Sequence, residues 1–266
     1  MEHTLDTGHF QVRFINNIII FKSLMRLILK LKSRKDSIYD TKYYHKLRGF
    51  IYNLLKNSIF DIHDKRKYKF FCFSNIFPIE EIKTDKIRNL LISSPNKDFI
   101  YWLKGKISEE KIIEIGEMQF ELVDLKIINQ ELYNRLITGT PIVVRIPKNR
   151  YKEYNIISNR PYEYWKTEYE TKPFIKQLTE NLIKKYNLYY NKEMDYTKIF
   201  EFFNFKKEVC VHVIENGKEH PVVGTLWEFE FSHLNDIQRK ILEFGIETGF
   251  GELNSSGFGF INPIKK

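Results

Sequence analysis

Twice along this chain the spacing of apolar residues runs in one order: a strand period, a helix period, two strand periods, a second helix period and a closing strand. That order constrains the fold more than any single motif, because each segment has an apolar face that must be buried against the others. In the first half, "MRLILKLK" (25–32) mixes Leu and Ile with basic residues and alternates toward its end, as a strand with one wet face does. "YYHKLRGFIYNLLKN" (43–57) sets Tyr44, Leu47, Phe50, Ile51, Leu54 and Leu55 at three- and four-residue spacing, an amphipathic helix with Lys46, Arg48 and Asn53 off the apolar stripe. "YKFFCFSNI" (68–76) and "IRNLLISS" (87–94) read as strands. Ser94 and Pro95 supply an N-cap and a first-turn proline for a helix over 95–107, with Phe99, Ile100, Leu103 and Ile107 inward. "MQFELVDLKII" (118–128) closes the unit.

The second half repeats the order. "RLITGTPIVVRI" (135–146) is a strand pair or a bent strand, and "PFIKQLTENLIKKY" (173–186) a helix starting at its own proline. "EVCVHVI" (208–214) and "PVVGTLWEFEF" (221–231) are strands around the turn-prone Asn216-Gly217. "LNDIQRKILEFGIETG" (234–249) is a helix, and "FGFINPI" (258–264) a final strand. The predicted fold class is α+β, with two tandem ferredoxin-like domains of the RRM-like βαββαβ kind. They span 25–130 and 131–266, with an insert near 147–172 in the second. The connection over 128–134 is short, which predicts packed domains. Residues 1–24 stand outside this scheme as an N-terminal arm.

Charge points to the first half. The chain carries a net charge of +9, and between Met25 and Lys69 thirteen Lys or Arg face four Asp, while the remainder balances at thirty against thirty. An excess confined to one segment fits a polyanion-binding surface, and it fits equally a solvated lysine-rich face. Arg13, Asn16, Asn17, Lys22 and Arg26 interrupt the apolar N-terminal run, which never reaches the about 18–20 apolar residues of a spanning helix. No small-residue cleavage site follows, so no signal peptide and no membrane association are expected. Two cysteines, Cys72 and Cys210, fit a reducing cytoplasm; each lies in an apolar run and reads as a small buried side chain. No Cys/His spacing suggests a metal site, and no cofactor is expected.

Four of the twelve glycines, Gly249, Gly251, Gly257 and Gly259, fall within "GFGELNSSGFGF" (249–260). Such glycines permit positive φ and the close approach of a ligand backbone, or simply a tight connection. The loop follows a helix and precedes a strand, and it lacks the Gly-Lys-Ser/Thr of a phosphate-binding loop and the spacing of a dinucleotide fingerprint. Its tip, Asn254, Ser255 and Ser256, offers amide and hydroxyl groups suited to phosphate or sugar.

A helix, then GxG-x5-GFG, then a closing strand resembles the RAMP superfamily of CRISPR-associated proteins, and in particular its repeat-processing endoribonuclease. "MRLILKLK" is similar to that family's opening strand and "LRGFIYNLLKNS" to its first helix. "TGTPIVVRI" is similar to the start of its second domain, and "FIKQLTENLIKKY" to the helix that follows, so the likeness runs over about residues 25–264. The resemblance implies cleavage of precursor CRISPR RNA without metal, through attack of the 2′-OH on the adjacent phosphate, leaving a 2′,3′-cyclic phosphate and a 5′-OH. It implies a cytoplasmic protein that binds CRISPR repeat RNA, as a monomer or homodimer. The alternative is a non-catalytic member that holds repeat-derived RNA among the subunits of an effector complex.

The family commonly places a Tyr on the first helix, a His shortly after it and a Lys at the entry to the second strand. Here these positions match Tyr52, His63 and Lys69. The resemblance thus implies His63 as general acid, Tyr52 orienting or deprotonating the 2′-OH, and Lys69 stabilising the pentavalent phosphate. His45, on the same basic segment, is the rival for His63. Lys65, Arg66 and Lys67, with Lys46 and Arg48, are the expected phosphate contacts, and the glycine loop is the expected RNA-facing backbone.

Overall fold

The computed structural model describes residues 24–39, 43–61, 68–215 and 217–265. The first unit contains β1 (Leu24–Ser33), α1 (Tyr43–Leu55), β2 (Cys72–Phe73), β3 (Ile87–Ser93), α2 (Lys97–Ser108), β4 (Ile112–Ile115) and β5 (Met118–Gln130). Its sheet runs β2-β3-β1-β5-β4, antiparallel at every pairing. Without the edge strand β4, the order of the four expected strands is fourth, first, third, second, which the ferredoxin-like topology requires. Leu27, Leu29 and Leu31 alternate onto the helix-covered face and are buried with Leu47, Ile51, Ile100 and Leu103. Leu24, expected in the arm, opens β1 opposite Gln130, while residues 1–23 lie outside the described ones.

Two local expectations change. The helix expected from Pro95 begins at Lys97, because Asn96 is the cap: its side chain accepts from the Phe99 amide at 3.1 Å. Ser94 instead donates its hydroxyl to the Phe70 carbonyl, which ties the helix entry to the chain approaching β2. Strand β4, absent from the sequence reading, forms a hairpin with β5 around Gly116.

The second unit contains β6 (Arg135–Thr138), β7 (Arg145–Pro147), β8 (Tyr162–Tyr164), α3 (Thr171–Tyr190), β9 (Phe202–Glu215), β10 (Lys218–Glu230), α4 (Asp236–Thr248) and β11 (Ile261–Ile264). Its sheet, β11-β6-β10-β9, repeats the order of the first. The segment 135–146 is divided: Gly139 to Pro141 break it, and β7 leaves the sheet to pair with β8 from the insert. Helix α3 starts earlier than Pro173, which sits in the first turn where its missing N–H has no partner to lose, and it stops at Asn191 in a left-handed conformation. Helix α4 opens with a reciprocal capping box between Asn235 and Gln238.

The two units share their interior. Residues Ile241 to Thr248 of α4 are buried all round, because the helix packs on its own sheet and on the open face of the first. There the Cys72 thiol lies 3.6 Å from the Glu247 carbonyl oxygen. Arg26, projecting from that open face, donates to Asn262 Oδ1 at 2.9 Å and to the Ile261 carbonyl, with its guanidinium 4.6 Å from the centre of the Phe260 ring. Burial pushes its pKa down to about 10, so it stays charged at neutral pH. The β9–β10 hairpin reaches back across the junction, and Val211, Val213 and Val222 join the core of the first unit. On β9 these inward valines alternate with Cys210 and His212; Cys210 is therefore exposed, contrary to expectation, whereas Cys72 is fully buried. No helix among the described residues is long and apolar enough to cross a membrane.

The glycine loop is a packed part of this junction. Tyr44 of α1 stacks on Phe258 with ring centres 5.3 Å apart, and a Cβ on Gly257 (φ +98°) would lie 2.7 Å from the Tyr44 ring. At Gly259 (φ +72°) a Cβ would fall 1.9 Å from the Phe250 carbonyl oxygen. Gly259→Ala should therefore destabilise the protein by about 2–3 kcal/mol, read as a lower urea midpoint at unchanged slope.

Candidate active site

Helix α1 has two working faces. Tyr44, Leu47, Ile51 and Leu55 enter the core, while His45, Arg48 and Tyr52, again three and four residues apart, share the half-buried stripe beside it. The Tyr52 hydroxyl donates to Ser255 Oγ at 3.3 Å and accepts from the Lys69 ammonium at 2.8 Å. Lys69 Nζ also lies 4.6 Å from the centre of the Tyr52 ring, within cation–π range. Arg48 sits beside this group, with Nη1 3.5 Å from Ser256 Oγ and Nη2 donating to the Ile214 carbonyl at 3.2 Å. Three segments far apart in the chain thus bring three hydroxyls and two cations into one half-buried patch: α1, the approach to β2 and the 3-10 turn Asn254–Ser256.

That turn is held from below by a residue absent from the sequence reading. Lys185 of α3 is buried, and its ammonium donates to the carbonyl oxygens of Gly249 and Gly251 at 2.6 and 3.1 Å and to Asn254 Oδ1 at 3.0 Å. Burial pushes this amine down to about 7. A neutral amine has two hydrogens for these three acceptors, so the arrangement matches the ammonium. Asn254 completes the clamp by donating to the carbonyls of Phe250 and Phe258 at 3.0 and 3.1 Å. The signal was present in the sequence: Leu178, Leu182 and Lys185 lie on one helical stripe, and a lysine there needs buried acceptors.

The model of the family described as "CRISPR associated protein Cas6, C-terminal" matches residues 124–263. A protein of Methanocaldococcus jannaschii named CRISPR-associated endoribonuclease Cas6 2 is 35% identical over 249 residues, 91% of this chain and all of the relative. The chain belongs to the Cas6 family. A second Cas6 endoribonuclease, from Haloferax mediterranei, is 31% identical over 255 residues, 91% of this chain and 94% of its own length. Among solved structures, a Cas6-related protein from Pyrococcus furiosus superposes with a TM-score of 0.70 at 22% identity, covering 91% of this chain and 99% of the other. A structure described as an RAMP protein binding different RNA substrates does so at 0.69 and 24% identity, covering 91% and 100%. These two show the same fold.

Within this Cas6 fold the expected site residues separate into groups. Tyr52, Lys69, Arg48, Ser255 and Ser256 come together. His63, Lys65, Arg66 and Lys67 lie outside the described residues, in the stretch joining Asp61 to Tyr68. His45 is on the Tyr52 face but two turns away, about 10 Å along the helix axis. Burial first, then Lys46 and Arg48, push its pKa below the ordinary value. Lys46 is exposed off this face, where a Cβ on Gly116 would lie 3.2 Å from its Cγ. Of the loop residues, Gly249, Gly251, Gly257, Gly259 and Asn254 are buried in internal packing, which leaves the partly exposed Ser255 and Ser256 as its polar surface.

Lys185→Met should strand three buried acceptors and destabilise the protein by about 3 kcal/mol, measurable by urea unfolding. The same substitution at the exposed neighbour Lys184 should change stability by less than about 0.5 kcal/mol.

Proposed function

We propose that this Cas6-family chain cuts CRISPR repeat RNA without a metal ion, by attack of a ribose 2′-oxygen on its own 3′-phosphate. The new P–O2′ bond forms as the P–O5′ bond breaks, giving a 2′,3′-cyclic phosphate and a 5′-OH. The observation that carries this is the Tyr52–Lys69–Ser255 group, in which a phenol, an ammonium and a hydroxyl converge on one half-buried patch. The names of the curated relatives, both CRISPR-associated endoribonucleases, support it.

Each group has a distinct task. The phenol oxygen of Tyr52 orients the 2′-OH in line with the departing 5′-oxygen, the hydroxyl proton passes to solvent water as the P–O2′ bond forms, and positioning of this kind lowers the barrier. Lys69 balances the negative charge that accumulates on the phosphorane oxygens, in a patch where partial burial strengthens the interaction. His63, six residues before Lys69 in the chain, protonates the leaving 5′-oxygen. Arg48 with Lys65, Arg66 and Lys67 holds flanking phosphates, and Ser255 and Ser256 contact phosphate or sugar.

The test is single-turnover cleavage of the repeat RNA from the protein's own CRISPR locus, in EDTA. His63→Ala should slow cleavage by about 10²–10⁴-fold and Lys69→Ala by about 10²-fold, with RNA affinity reduced far less. His45→Ala should stay within about threefold of wild type, since its imidazole lies two helix turns from Tyr52. Mass spectrometry of the 5′ fragment should find the cyclic phosphate, one water lighter than the linear one. Cleavage that requires added Mg²⁺ or leaves only a linear phosphate would overturn the mechanism. Tight binding with no cut would point instead to a member that holds repeat RNA within a larger assembly.

A further inference from the structure

Beside the glycine loop lies a cavity of about 400 Å³, within the roughly 300–1,000 Å³ range of small-ligand pockets. It opens between α3, the β7–β8 ribbon and loop residues Gly251 and Glu252, with Tyr68 on its wall. Tyr68 directly precedes Lys69, and Glu252 stands three residues before Ser255, so the cavity adjoins the Tyr52 patch along both of those segments.

Its chemistry is neutral and amide-lined. Arg145 pairs with Glu252 and Glu180 with Arg150, so the charged groups near the floor are already matched. A phosphate would find no unpaired cation there beyond Lys184 at the helix surface. Gln177 and Asn181, one turn apart on α3, contribute a buried amide nitrogen (Gln177 Nε2) and a buried amide oxygen (Asn181 Oδ1) that have no hydrogen-bonding partner. Unpaired buried donors and acceptors are costly, and both residues line the cavity, so turning the two amides toward it would let them meet a ligand that offers an acceptor beside a donor. The Watson–Crick edge of every nucleobase presents that pair, and in an unpaired base that edge is free. Tyr68, Tyr162 and Pro161 supply flat faces for stacking.

We propose that this pocket receives one unpaired nucleobase of the RNA, next to the scissile phosphate, stacking it on the tyrosines and reading its edge with Gln177 and Asn181. The proposal rests on the RNA-cleaving function above. It makes the pocket a base-binding site, distinct from the groups that act on the phosphate.

The test combines substrates and variants. Repeat RNAs carrying a single abasic nucleotide at successive positions around the cut are compared with intact RNA, on wild type and on the double variant Gln177→Met, Asn181→Leu. One abasic position should weaken binding to wild type by about 10-fold. The double variant should bind intact RNA about 10-fold less tightly and show no further loss at that position. Thermal unfolding of the double variant should occur at or above the wild-type midpoint, because two orphaned polar atoms have been removed. A fall in the midpoint would assign the two amides a structural role and overturn the proposal. So would abasic and variant effects that simply multiply, or a variant that binds like wild type. Wild type that binds and cuts intact repeat RNA while showing no sensitive position would overturn the pocket alone. Wild type with no affinity for the RNA would overturn the function as well.

Discussion

A single buried ammonium organises the part of this protein where its units meet. Three oxygens of one loop point inward at Lys185, and without a cation between them they would repel one another and lack water. With it, the chain from Gly249 to Asn254 closes into a compact knot, tightened by the two bonds that Asn254 sends back to Phe250 and Phe258. The fixed knot sets the position of Ser255, and only a fixed Ser255 can meet the Tyr52 hydroxyl across the junction. The aromatic contact between Tyr44 and Phe258 then presses the loop against the same helix that carries Tyr52. Geometry at the patch is therefore inherited from a buried residue beneath it.

Helix α1 performs two jobs because 3.6 residues per turn set them on two adjoining stripes. Its core stripe fixes the helix to the first sheet, and rigid burial of Leu47, Ile51 and Leu55 keeps the other stripe from rotating. Side chains on a helix held this way need little further ordering. The glycine loop is an unusual partner for such a helix, since loops normally run over the surface. Here it is interior, and its backbone polar groups are answered one by one, by Lys185, by Pro141 and by Val143.

Periodicity made the two units readable before their structure. Phe99, Ile100, Leu103 and Ile107 are all buried as their spacing required, and the repeated strand order follows from the repeated order of periods. What periodicity omits is the identity of the partner. "IIEI" is only four residues long with Ile112 and Glu114 exposed, too short and too half-wet to separate from a turn. Ser94 and Asn96 both satisfy the chemistry of a cap, and the choice between them was made by the Phe70 carbonyl, a tertiary neighbour. The loop glycines signalled positive φ correctly, yet whether that served an incoming backbone or an internal fit depended on Val143, Tyr44 and Phe250, distant in sequence. Tyr52 and Lys69 were legible as candidates from the resemblance; their contact is a fact of three dimensions.

The hairpin of β9 and β10 carries a consequence for how the protein comes apart. Although the two units repeat one topology, the second lends Val211, Val213 and Val222 to the interior of the first, and α4 serves as a cover for both sheets. Separating them would expose a valine-lined ribbon on one side and an uncovered sheet on the other, each an invitation to aggregate. Duplicated architecture here does not mean modular architecture. Loss of order in either unit withdraws packing from its neighbour, so denaturation is expected to proceed as one cooperative event and not as the successive melting of two halves.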